Sequence, residues 1–206
     1  SDRDKPSNSP IFIKGDASKR GEVVPRRFVE IFKDVSSQNF TNGSGRLELA
    51  QAIANPKNPL TARVIVNRVW QSHFGVGFVN TPDDFGLQTP KPLHYDLHNY
   101  LSTWFMENGW SIKKLNKLIV MSSTYRQDSL PEAKKLTIDP YNQYYWRMNL
   151  QRIKFEELRD TILYIGGSLN TNRQLQSIDL VTINNDGYAD IRSIYGLIDR
   201  GRLPEV

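Results

Sequence analysis

Apolar side chains recur at every third or fourth position through residues 45–167, and this period predicts a series of helices. The stretch "GRLELAQAIANP" sets Leu47, Ala50 and Ile53 on one face. It stops at Asn55-Pro56, because a proline drives the residue before it out of the helical region. Asn58 and Pro59 then serve as N-cap and first helical residue of a helix from about Leu60 to Phe74, which Gly75 and Gly77 end. In "TPDDFG", Thr81 is a cap, Pro82 takes the first position and an acid follows three residues on, a small capping-box variant. An amphipathic helix follows from about Leu93 to Glu107, carrying Leu97, Tyr100, Leu101, Trp104 and Phe105 inward and closed by Asn108-Gly109. Ser111 caps the next, with Ile112, Leu115, Leu118 and Ile119 inward and Lys113, Lys114 and Lys117 outward. Beyond a loop around Leu130 to Asp139, "YNQYYWRMN" and "KFEELRDTILYIGG" read as two more helical pieces, the second ending at Gly166-Gly167.

Outside this region the pattern weakens. Residues Ser1 to Pro10 read as a linker, Ile11 to Ile13 as a short strand, and "VPRRFVEIF" as a short helix with Pro25 in its first turn. Ser168 to Val206 is rich in Asn, Asp and Gly, with one β-like run at Ile191 to Ile198, expected to pair with Ile11 to Ile13. The fold class is therefore mainly α: a compact helical domain over residues 11–206 around a central buried helix, with a small β element joining the N- and C-terminal segments.

Composition narrows the function classes. A chain of 206 residues with 38% hydrophobic side chains can bury a sizeable core. No apolar run approaches the ~18 residues that span a bilayer. The absence of cysteine excludes disulfides, thiolate metal sites and cysteine nucleophiles within the chain. A formal charge of +5 would suit a polyanion, yet the basic residues are dispersed, which fits simple solvation better and disfavours nucleic acid as a partner.

The chemical candidates lie on the central helix. Arg63, Asn67, Trp70 and Phe74 share a face by their 4-3-4 spacing. Arginine cannot shed its charge, so a buried Arg63 or Arg68 needs carboxylates or carbonyls, with Asp83, Asp84, Glu156 and Asp160 as candidates. A polar clamp is the expected role, and replacing a buried Arg68 by Met would then destabilise the fold strongly. Glu156 and Asp160 fall one turn apart as paired carboxylates, with Arg159 between them. Tyr125 and Arg126, in "STYRQDS", suit an interaction surface, because Tyr and Arg favour interface hot spots. No catalytic residue, cofactor site or metal site is assigned. "HYDLH" puts His94 and His98 one turn apart but lacks the glutamate of H-E-x-x-H, and "DFG" at Asp84 to Gly86 has no kinase catalytic loop beside it. Aromatics beside Arg147 in "NQYYWRMN" could stack on sugars.

The segments "SGRLELAQAIANPKNPLTARVIVNRVWQSHFGVGFVNTPDDFG", "PLHYDLHNYLSTWFMENGWSIKKLNKLIVMSSTYRQDS" and "NQYYWRMNLQRIKFEELRDTIL" resemble the C-terminal domain of planctomycete cytochrome-c-like proteins, the PSD-one family of unknown function. The likeness runs from about Ile11 to Asn170, and His98 departs from it at a usually apolar position. The resemblance implies a fragment of a larger exported protein in the periplasm or cell envelope, near electron transfer or polysaccharide breakdown. It implies haem only in an upstream domain, and no cofactor in this chain. The expected function is a non-catalytic scaffold or interaction domain whose partners are flanking domains and an envelope partner; the alternative is glycan binding or polysaccharide processing.

Overall fold

A computed structural model describes residues 5–172 and 189–197. They fall in two compact units, Ser1–Asn149 and Leu150–Val206. Among the described residues the architecture is mainly α, with six helices and one two-stranded sheet.

In the first unit, β1 (Ser9–Phe12) pairs antiparallel with β2 (Arg20–Val24), Ser9 opposite Val24 and Phe12 opposite Arg20. The small β element is therefore an N-terminal hairpin, and Ile191 instead bridges Asn170; Ile198 lies outside the described residues. Asp16 turns the hairpin by accepting from the Ser18 amide at 3.0 Å and its hydroxyl at 2.7 Å. Closing so short a loop costs less chain entropy than pairing across most of the sequence, which is why the local partner wins. The helix expected in "VPRRFVEIF" shrinks to a single 3-10 turn at Glu30–Phe32, because Arg27 bridges Asn39 and the Phe40 amide donates to the Arg26 carbonyl at 2.7 Å.

Helix α1 (Arg46–Ile53) buries Ala52 and leaves Leu47 and Ile53 exposed, so its inner face is not the one its apolar spacing suggests. Asn58 joins it to α2 (Thr61–Phe74): its amide donates to the Ile53 carbonyl at 3.2 Å and accepts from the Leu60 amide at 3.0 Å. Helix α3 (Tyr95–Glu107) and α4 (Ile112–Val120) pack on α2. Ala62, Val66, Trp70 and Phe74 of α2 meet Leu101 and Phe105 of α3 and Leu115 and Ile119 of α4, placing α2 at the centre as its apolar circumference predicts. Ser111 caps α4 by accepting from the Lys114 amide at 3.3 Å.

Helix α5 (Ala133–Ile138) lies within the stretch read as a loop; six residues are too few to carry a readable period. Residues 139–149 reverse the opposite expectation and are not helical. The buried Asp139 accepts from the Gln143 and Tyr144 amides at 2.9 Å each, and Asn142 donates to the Arg147 carbonyl at 2.7 Å. Asn142 and Tyr145 sit at φ 53° and 52°, outside the right-handed helix.

In the second unit, α6 (Phe155–Ile165) opens with Glu157 reaching back to the Lys154 amide at 3.3 Å. It ends at Gly166 and at Gly167, whose φ of 72° favours glycine. A 3-10 turn at Ser193–Tyr195 follows the Asn170–Ile191 bridge.

One buried amide fixes how the first unit leaves α2. Asn67 is fully buried; its Nδ2 donates to the Val79 carbonyl at 3.1 Å and its Oδ1 accepts from the Val79 amide at 2.9 Å. Gly77 lies flat against it, and a Cβ there would sit 2.6 Å from Asn67 Oδ1. Each backbone group left unpaired in such a place costs about 1–3 kcal/mol. Asn67→Leu is accordingly expected to lose about 2–5 kcal/mol of stability in urea unfolding. Gly77→Ala should lose about 1–3 kcal/mol through overpacking, and less in an Asn67→Ala background, where the contacts with the amide are gone and the Val79 carbonyl at 2.9 Å remains. Equal costs of Gly77→Ala in both backgrounds would show that the amide is not what it meets.

Candidate functional site

Beyond Gly77 the chain folds on its own side chains. The Thr81 and Thr89 hydroxyls both donate to the Asp84 carbonyl at 2.8 Å, and the Asp84 carboxylate accepts from the Gly86 amide at 2.7 Å. "TPDDFG" is thus a closed turn rather than a helix start. From it Thr89–Pro92 continues without regular structure toward α3, since each proline disfavours the helical region for its predecessor.

A second loop, residues 139–149, is tied to the same helices. Trp70 Nε1 donates to the Tyr145 hydroxyl at 2.9 Å, Asn149 Nδ2 to the Phe74 carbonyl at 3.0 Å, and His94 Nε2 lies 2.8 Å from the Gln143 carbonyl. Burial pushes the Tyr145 hydroxyl up from its ordinary value, so it stays a neutral hydrogen-bonding group.

Two concavities flank Thr89–Pro92. The larger, about 420 Å³, is lined by Asn80, Thr81, Lys91, His94, Tyr141 and Asn149 among others. The smaller, about 350 Å³, is lined by Arg63, Phe85, Lys91, Tyr95 and His98 with neighbouring prolines.

The sequence candidates divide into three groups. Arg63 is half-buried, donating through Nε to Asn99 at 2.9 Å and through Nη1 to the Pro59 carbonyl at 2.5 Å. Asn67 and Trp70 are buried beside it on α2. Arg68 pairs with Asp83 at 2.8 Å, but both side chains are more than half exposed. Tyr125 packs edge-on against Phe74, while Arg126 is exposed. Glu156, Arg159 and Asp160 belong to the second unit. There Asp160 accepts from the Ser193 amide at 2.8 Å and its hydroxyl at 2.7 Å, and Arg159 donates to the Ile191 and Ala189 carbonyls. Glu156 is exposed in the first turn of α6, where a carboxylate suits the helix dipole.

Burial raises the Asp160 pKa, but the Ser193 hydrogen bonds and the nearby Arg159 and Arg192 charges outweigh it and hold the carboxyl below its ordinary value. His98 is buried, stacked on Phe78 at 5.0 Å, with Nε2 at 3.0 Å from the Arg63 carbonyl. Burial pulls its pKa below the ordinary histidine value against the support of that hydrogen bond, and the Arg63 charge adds to the depression. Among the described residues, no three His, Asp or Glu side chains gather as a metal-holding group. Sequence reasoning missed Thr89, Lys91, Tyr141 and Asn149. The signal was available at Asp139-Pro140 and at the asparagines of "YNQYYWRMN", which favour turns stitched by side chains over helix.

An exposed ion pair contributes between about 0 and 1 kcal/mol, so Arg68→Met is expected to leave the urea midpoint almost unchanged; a loss above about 2 kcal/mol would mean that the pair is shielded. The histidine gives a pH dependence. With its folded pKa depressed, its contribution is full above the unfolded value of about 6.5 and falls as pH drops below that, because the unfolded state then binds the extra proton. Stability should therefore slope down from about pH 6.5 toward pH 5, and His98→Phe should flatten the slope. Asp160 acts in the same sense further down: its contribution holds above about pH 3.9 and is lost as pH falls through the folded pKa, a loss that Asp160→Asn should remove.

No curated protein and no solved structure matches the chain. The sequence profile of PSD1, described as a protein of unknown function (DUF1553), matches residues 45–206. That span begins after the N-terminal hairpin and continues past Asn170 through the C-terminal segment, covering well over half of the chain, which thus belongs to the PSD1 family.

Proposed function

We propose that this chain is a non-catalytic scaffold and interaction domain of an exported, cytochrome-c-like multidomain protein of the periplasm or cell envelope. The observation that carries this reading is where the polar side chains go. Asn67, Asp84, His94, His98, Asp139, Asn142 and Arg159 bond main-chain groups of the same chain. A catalytic acid, base or nucleophile has to face a substrate instead. In the first unit these bonds build shape: two loops held on α2 with a groove beside them. Tyr141 and Tyr144 stand largely exposed on the 139–149 loop, and tyrosine offers large contact area at low entropic cost.

The partner in this reading is a flanking domain or a separate envelope protein. Glycan binding is the second reading, favoured by the amides and hydroxyls of Asn80, Thr81 and Asn149 beside Tyr141 in the groove. The test is a photo-crosslinking residue placed at position 141 of the full-length protein in its native cells, with position 113, on the solvated face of α4, as control. A discrete crosslink to one protein or domain from position 141 alone is expected. Equal labelling from both positions would overturn the reading. Retention on a polysaccharide at physiological salt, lost in Tyr141→Ala, would replace it by the glycan one.

A further inference from the structure

We propose that the smaller concavity beside Thr89–Pro92 binds a small carboxylate that carries an apolar ring or chain. The inference concerns a different concavity from the Tyr141 groove and stands apart from the interaction reading. Its basis is a positive charge held in place with, among the described residues, no carboxylate paired to it. Arg63 is fixed by two neutral acceptors, the Asn99 side chain and the Pro59 carbonyl. Among the described residues no carboxylate pairs with it, and the second cation on the wall, Lys91, lies 4.5 Å from the centre of the Tyr95 ring rather than against an acid. A half-buried guanidinium held in one orientation by these two bonds keeps its remaining Nη1 and Nη2 hydrogens for an anion, and the two oxygens of a carboxylate suit that end.

The remaining wall sets the body of the ligand. Leu60, Val79, Phe85, Pro90, Pro92 and Tyr95 are apolar or present apolar faces, and about 350 Å³ suits a ring-sized molecule. A compact dianion such as inorganic phosphate would exchange a strong hydration shell for these walls and fits poorly. His98 contributes no third cation near neutral pH, because it is buried and donates its one proton to the Arg63 carbonyl.

The test uses the full chain and three probes: benzoate, its uncharged analogue benzamide, and inorganic phosphate, followed by calorimetric titration. Benzoate is expected to bind saturably and at least about tenfold more tightly than benzamide or phosphate, the factor that a ~1.4 kcal/mol charge contribution gives. Arg63→Gln should weaken benzoate by about tenfold or more and Lys91→Gln by a few-fold, while Lys113→Gln, on the solvated face of α4, leaves it unchanged. If Arg63→Gln does not fold, Lys91→Gln decides, since that side chain is exposed. Benzamide or phosphate binding as tightly as benzoate, an unchanged affinity in Lys91→Gln, or no saturable benzoate binding overturns the proposal.

Discussion

The first unit depends on a primary amide meeting a backbone amide inside the core. Gly77, Phe78 and Val79 are all buried, so the chain leaving α2 carries its main-chain polar groups into an apolar environment that offers no water. Asn67 supplies one donor and one acceptor at the spacing of the Val79 N–H and C=O, in effect lending the loop a single rung of sheet. Aspartate would lack the donor and leucine both groups, while glycine at position 77 provides the close approach. With Val79 so held, Phe78 packs tilted against Trp70 at 4.3 Å and stacks on His98, and the Thr81–Thr89 turn leads to the Thr89–Pro92 segment that the two concavities flank.

The same solution recurs wherever the chain is irregular and enclosed. Asn58 couples the end of α1 to the approach of α2, Asp139 and Asn142 organise residues 139–149, and Asp160 holds Ser193 in the second unit. Each such bond adds only about 1 kcal/mol when made but costs more when one partner is removed. Apolar packing on α2 therefore supplies the bulk of stability, while these short polar side chains specify which loop conformation is reached.

That division explains what could be read from the sequence. Helices α2, α3, α4 and α6 were legible because each presents an apolar stripe to a neighbour or carries clear stop signals over nine or more residues. Helix α1 was legible as an element, but it turned the face of Leu47 outward. Residues 139–149 have the aromatic density of a buried helix, but the Asp139 carboxylate holds two of their amides and two residues take positive φ values. The partner of Asn67 was not legible at all. Its position on a buried face announces that an amide must be satisfied; nothing in a linear pattern says that Val79, twelve residues on, satisfies it.

Arg63 and Arg68 show how the same limit applies to charge. They lie on one helix and read alike in the sequence, each expected, if buried, to pair with carboxylates or carbonyls. Arg68 found one in Asp83, but in solvent, where screening leaves the pair little energetic weight. Arg63 found neutral oxygens, and it is the half-buried one. A guanidinium bonded to a carbonyl and an amide is held in place but not balanced in charge, because neither acceptor carries a compensating unit of negative charge. Desolvation makes that residual field stronger at Arg63 than at Arg68, so the arginine without an acid, rather than the one with, is where an anion gains most by approaching.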